Sequence, residues 1–123
     1  MQDERLRVDA GIAAGVATMR PQGEIDLYTV SQLEYAISSA IRADAKAILI
    51  DLSGVTYMDS SGLSVLITAY KKLTATGGRL YLITSDEATW VRRVLQITRV
   101  DTFIPVLGSL DEAAKELSVS GVV

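Results

Sequence analysis

The sequence predicts an α/β domain with a mixed, mostly parallel sheet and about four helices. Three observations carry that expectation. Short, almost wholly apolar runs such as Ala47-Ile48-Leu49-Ile50 alternate with longer stretches whose apolar residues recur at helical spacing. The first two apolar stretches instead alternate with polar residues across a glycine-containing turn. The 123 residues, 49% hydrophobic and 22% charged, suffice for one cored domain and leave no room for a second.

The elements follow in order. Leu6, Val8 and Ala10 predict a half-buried strand, and Gly11 and Gly15 bracket a turn. Val16, Thr18 and Met19 predict a second strand reaching Arg20, ended or bent by Pro21-Gln22-Gly23. Two strands joined so briefly are antiparallel neighbours. Thr29 or Ser31 caps a helix with Val30, Leu33, Ile37, Ala40 and Ile41 on one face. The run from Ala47 to Leu52 reads as a central strand buried on both sides. Leu63, Leu66, Ile67, Tyr70 and Leu73 then keep helical spacing to about Thr76, where Gly77-Gly78 supplies a stop.

Leu80 to Ile83 is another buried strand, and Ser85 or Asp86 caps a third helix holding Trp90, Val91, Val94 and Leu95. Thr102-Phe103-Ile104-Pro105 reads as a short edge strand, because Pro105 cannot donate to a ladder. Ser109 or Asp111 starts a last helix with Leu110, Ala113, Ala114 and Leu117 on one face. The expected order is β-β-α-β-α-β-α-β-α in one domain over residues 1–123, with residues 118–123 a frayed tail.

Composition removes much chemistry. The chain has neither Cys nor His, so it holds no disulfide, thiolate nucleophile, Ser-His-Asp triad or His-based metal site of its own. A net charge of −3 lacks the basic footprint of a nucleic-acid binder. No apolar run approaches the ~18 residues of a membrane span. The acidic start, Met1-Gln2-Asp3-Glu4, is not a secretory signal. The expectation is a cytoplasmic protein with no cofactor and no direct membrane contact that is not an enzyme.

Two segments remain informative. Asp51-Leu52-Ser53-Gly54-Val55 leads into Met58-Asp59-Ser60-Ser61-Gly62-Leu63, at the passage from a central strand to a helix. Sites in open α/β sheets gather at such carboxyl ends, and a phosphate on a serine hydroxyl there would meet amide donors and a favourable dipole. Asp and Ser before a helix are equally ordinary caps. The missing Lys after Gly62 rules out a GxxxxGK[ST] phosphate loop. The second segment, Gly23-Glu24-Ile25-Asp26-Leu27-Tyr28-Thr29, reads alone as a turn and a cap. Arg92-Arg93 is most simply a solvated face, and Trp90 a core or partner contact.

Together with Val91-Arg92-Arg93-Val94-Leu95, Asp101 and Phe103, these segments are similar to the STAS domain family, and within it to bacterial anti-sigma factor antagonists. The resemblance runs over nearly the whole chain, and Asp-Ser-Ser-Gly-Leu after an apolar strand is its most specific part. It implies binding to a cytoplasmic anti-sigma factor that is also a serine kinase, with release of a sigma factor. It further implies phosphorylation by that kinase of the serine directly after the Asp, here Ser60, which ends the binding, and a phosphatase that restores it. Asp59, Ser61 and Gly62 would neighbour the acceptor in the docking surface. Asp26 matches the family's acidic position beside it. Such regulators act in stress responses and sporulation. A scaffold subunit of a stress-signalling particle or transporter complex is the alternative, and a monomer is the expected state of the free switch. Two positions depart from the family pattern: Ser64 stands where Gly is common, and Arg99 follows the third helix where many members have Gly. A local change of turn is the expected accommodation of Arg99.

Overall fold

In a computed structural model that describes residues 3–85 and 89–121, the sheet is built around one long strand. β1 (Leu6–Ala13) and β2 (Val16–Ile25) form an antiparallel hairpin closed by Ala14 and Gly15, both at positive φ (53° and 80°). That pair of left-handed residues is the turn whose twist matches the strands it joins. Gly11 therefore lies within β1, and the turn is confined to the two residues before Val16.

β2 carries on past Arg20. It pairs first with β3 (Ala47–Asp51) through Val16 to Met19, then with β4 (Gly54–Met58) through Gln22 to Ile25, both in parallel. Pro21 falls between these two ladders, and the bend expected after it appears as a register shift between Gly23 and Glu24. β4 has no counterpart in the expected order. Only Val55 and Met58 of its five residues are buried, so it shows neither an apolar run nor clean alternation. β5 (Arg79–Ile83) pairs β3, and β6 (Val106–Leu107) pairs β5, each in parallel.

The helices are α1 (Val30–Arg42), α2 (Ser60–Ala75), α3 (Thr89–Ile97) and α4 (Leu110–Ser120). Leu33 and Ile37 of α1, Leu66 and Leu73 of α2, and Val91 and Leu95 of α3 share one core with Ile48, Ile50, Leu80 and Leu82. Side chains alternate across a strand, so Ala47, Leu49, Tyr81 and Ile83 face the other way, where Ala113 and Leu117 of α4 cover them. The Asp86 alternative for the cap of α3 lies outside the described residues.

Several expectations are corrected. The edge strand falls on Val106 and Leu107 rather than on 102–105: Val100–Thr102 is a 3-10 turn, Phe103 packs edge-on against Tyr70 at 5.4 Å, and Pro105 contributes only its carbonyl, to the Leu82 amide (2.9 Å). Residues 118–120 of the tail expected to fray are the last turn of α4, closed by Gly121 at φ 82° and by the Ser120 hydroxyl donating to the Leu117 carbonyl (2.9 Å). On that helix Leu110 and Ala114 are exposed. Arg92 is no solvated charge: its guanidinium donates to the Thr84 hydroxyl and carbonyl at the end of β5, both at 3.1 Å.

Arg99 adopts φ 61°, the left-handed conformation, so the expected change of turn is absent and the arginine itself bears the strain. Its carbonyl still accepts the Thr102 amide (3.1 Å) and hydroxyl (2.6 Å). Arg99→Gly should therefore raise stability by about 1 kcal/mol, the cost of a Cβ in that region, read as a higher urea midpoint with unchanged slope. Gly23 gives the opposite case. At φ 116°, an added Cβ would lie 2.0 Å from the Arg5 carbonyl oxygen. Gly23→Ala should cost roughly 2–4 kcal/mol in the same assay.

Candidate functional site

The site forms where β2 and β4 end side by side. Ile25 and Met58 are register partners, and the Asp59 amide donates to the Ile25 carbonyl at 3.2 Å. The next residues along, Asp26 and Asp59, therefore leave the sheet at the same end, and Ser60 follows at once as the first residue of α2. The two informative segments of the sequence meet here.

Asp59 is the N-cap of α2. Its backbone is extended (φ −103°, ψ −170°), and its Oδ1 accepts the Ser61 amide at 2.9 Å. Its carbonyl accepts the Gly62 and Leu63 amides at 3.1 and 3.3 Å. The open anion cradle expected at this terminus is thus largely filled by Asp59 itself. The Ser60 amide makes no hydrogen bond among the described residues. The Ser60 side chain is exposed, that of Ser61 half-buried, and Ser64 sits exposed one turn on.

Gly62 is buried, and its place is inside the site rather than on its surface. A Cβ there would come within 2.6 Å of Met58 Cγ and 2.9 Å of Ile25 Cγ2. The missing side chain lets the first turn of α2 rest directly on the paired strand ends, which holds Ser60 at the sheet's rim.

Asp26 is held more tightly than a docking residue needs to be. Its Oδ1 accepts the Tyr28 and Thr29 amides at 2.8 and 3.0 Å, and its Oδ2 faces Arg5 Nη1 at 3.1 Å. The buried Thr29 hydroxyl bridges, donating to the Glu24 carbonyl (2.7 Å) and accepting the Asp26 amide (2.9 Å). Thr29 does stand at the N-cap position of α1, but its hydroxyl is spent on this bridge and gives the helix no cap bond. Burial would push the Asp26 carboxyl up; the Tyr28 and Thr29 amides, and then the Arg5 charge, outweigh that and hold it below the ordinary carboxylate range.

Arg5 joins the cluster from the start of the chain. Its guanidinium pairs with Asp3 (2.8 Å) as well as Asp26 and lies 5.8 Å from the Tyr28 ring centroid. The hydrogen bond from Arg5 lowers the Asp3 pKa to about 2 and raises that of Arg5. Reading the sequence by segments missed Arg5, because nothing in its local pattern links it to a residue 21 positions later. It also missed Leu27 and Tyr28, 70% and 75% exposed beside Asp26, whose signal was two large apolar residues in a turn.

The arrangement can present a hydroxyl, a carboxylate and an apolar rim to a partner. Among the described residues no group of acidic side chains is placed to hold a metal ion, and no helix is long and apolar enough to cross a membrane.

The fold is shared with known proteins. The chain is 29% identical over 115 residues to the anti-sigma F factor antagonist of Paenibacillus polymyxa, covering 93% of this chain and 97% of that protein. It is 32% identical over 76 residues to the anti-sigma-B factor antagonist of Staphylococcus aureus, covering 62% and 68%. A crystal structure of an anti-sigma factor antagonist from Mycobacterium paratuberculosis superposes with a TM-score of 0.82 at 29% identity, over 96% of this chain and 99% of that one. The family model described as the STAS domain matches residues 7–113, from β1 into α4 and across both halves of the rim that carries Asp26 and Ser60; the chain belongs to the STAS domain family.

Proposed function

We propose that this protein is an anti-sigma factor antagonist. In its unphosphorylated form it binds a cytoplasmic anti-sigma factor that is also a serine kinase, and so frees a sigma factor. Phosphorylation of Ser60 ends the binding, and a phosphatase restores it. The observation that carries the reading is the exposed Ser60 hydroxyl fixed at the sheet's rim by Asp59 and Gly62, beside Asp26 and the exposed Leu27 and Tyr28. The resemblance to two antagonists, one of them nearly end to end, supports the same assignment.

The local chemistry says how a phosphate would act. It adds about −1.5 to −2 charge. The Asp59 cap already occupies the amides of Ser61, Gly62 and Leu63, so the group gains little from the helix terminus and projects toward the partner. There it stands beside the carboxylates of Asp59 and Asp26, in a contact that was close before modification. Moving a micromolar complex to millimolar takes only ~4 kcal/mol, which a clash and two added charges supply together. The fold need not change, because Ser60 packs against nothing in the core.

Ser60→Ala should bind the kinase as the wild type does and accept no phosphate. Ser60→Glu should bind at least tenfold more weakly. Intact mass should show one phosphate on the wild type only with kinase and ATP both present. Titration calorimetry and mass spectrometry with a candidate kinase from the source cell check all three. Phosphate on Ser61 would move the acceptor, whereas an unmodified wild type together with Ser60→Glu binding at full strength would sink the switch.

Asp26→Asn tests the other half of the rim. An asparagine carbonyl can still accept the Tyr28 and Thr29 amides, so the domain should fold as the wild type does by circular dichroism, with a somewhat lower melting temperature because the charge facing Arg5 is lost. Weaker kinase binding or slower phosphorylation is expected from this folded variant. A folded variant with wild-type values in both assays would remove Asp26 from the docking surface and leave it as the anchor of α1.

A further inference from the structure

β1 is an outer strand of the sheet, and its far half has unused backbone groups. The turn at Ala14 and Gly15 makes Ala13 and Val16 a hydrogen-bonded pair, and the Glu24 amide donates to the Arg5 carbonyl (2.9 Å) at the other end. Both fix the same phase. Odd-numbered residues of β1 turn their amides and carbonyls toward β2, and even-numbered ones turn theirs outward. Leu6 is already served: its amide donates to the Asp3 carbonyl (3.3 Å) and its carbonyl accepts Gln32 Nε2 (2.6 Å). The outward groups of Val8, Ala10 and Ile12 have no partner among the described residues.

The side chains of the same three residues lie on the α1 face. There the hairpin runs out beyond the helix and leaves a groove of about 880 Å³, lined also by Met19, Tyr35 and Ala36. Ile12 is 48% exposed and Tyr35 71%.

We propose that this edge is a homodimer interface, in which β1 pairs antiparallel with β1 of a second copy about a two-fold axis at Ala10. With Ala10 opposite Ala10, Val8 of each copy faces Ile12 of the other, and every free amide and carbonyl on the edge finds its complement. On the opposite face the register sets Arg7 against Ala13 and Asp9 against Gly11, so no like charges stand directly opposite, and the two Asp9 carboxylates are diagonal neighbours. Arg7 and Asp9 already neutralise each other within the chain at 3.0 Å. An axis at Val8 would set Ala10 against Leu6, whose groups are occupied. No charged side chain lines the groove, so it selects a strand bringing apolar residues at alternate positions, as β1 does. The two grooves then adjoin on one face, with Tyr35 of each copy over the seam.

Sedimentation equilibrium of the wild type should show the mass rising from 13.2 kDa toward twice that value between low micromolar and near-millimolar concentration. Ala10 is exposed, so Ala10→Lys and Ala10→Glu should fold normally by circular dichroism. Each should stay monomeric across the range, because like charges then face across the axis. An equimolar mixture of the two should regain the dimer. A wild type that stays at 13.2 kDa, a lysine variant that dimerises as the wild type does, or a mixture that stays monomeric would overturn the proposal.

Discussion

Much of this molecule hangs on one strand changing partners. β2 gives its first half to β3 and its second half to β4, and the change falls between Met19 and Gln22. Had β2 stayed with β3 throughout, the segment after Asp51 would be a loop, and no second strand would carry the chain alongside Ile25. The handover makes Ile25 and Met58 partners, lets the Asp59 amide reach the Ile25 carbonyl, and so ties the start of α2 to the turn that starts α1. Gly23, at φ 116° with the Arg5 carbonyl against it, marks the bend in the strand. Gly62 lets the helix settle on the result.

Charge at the rim is arranged unevenly. Asp26 is embraced by two amides and a guanidinium, whereas Asp59 uses one carboxylate oxygen to cap its own helix. One acid is therefore a fixed part of the turn, and the other keeps the terminus beside Ser60 from acting as an open anion site. Arg5 couples Asp26 to the beginning of the chain, since the same side chain that faces Asp26 also pairs with Asp3.

The features legible in the sequence are those that repeat or that local chemistry demands. Ala47 to Ile50 announces a strand buried on both faces, and Leu66 and Leu73 fall on the buried side of α2 as their spacing requires. The exposed position of Ser60 at a helix start followed from the polar step between Met58 and Leu63. β4 was not legible, because a strand with only Val55 and Met58 buried carries no periodic signal. Nor was the true edge strand, since Pro105 enters the ladder through its carbonyl and the pairing begins only after it. Arg5 escaped for another reason: its partner Asp26 is set by where β1 and β2 lie in space, and 21 positions of sequence hide the pairing.

The two faces of the sheet are unequally furnished. Three helices and most of the large apolar side chains close one face, while α4 closes the other with little more than Ala113 and Leu117 against Ala47, Leu49, Tyr81 and Ile83. Burial of that size anchors a helix without welding it to the rest. The C-terminal helix thus takes its seat from two small-to-medium side chains, whereas the opposite face is closed by three helices. Asp26, Asp59 and Ser60 are held by the ends of β2 and β4 and by the first turn of α2, so the geometry of that rim does not rest on α4.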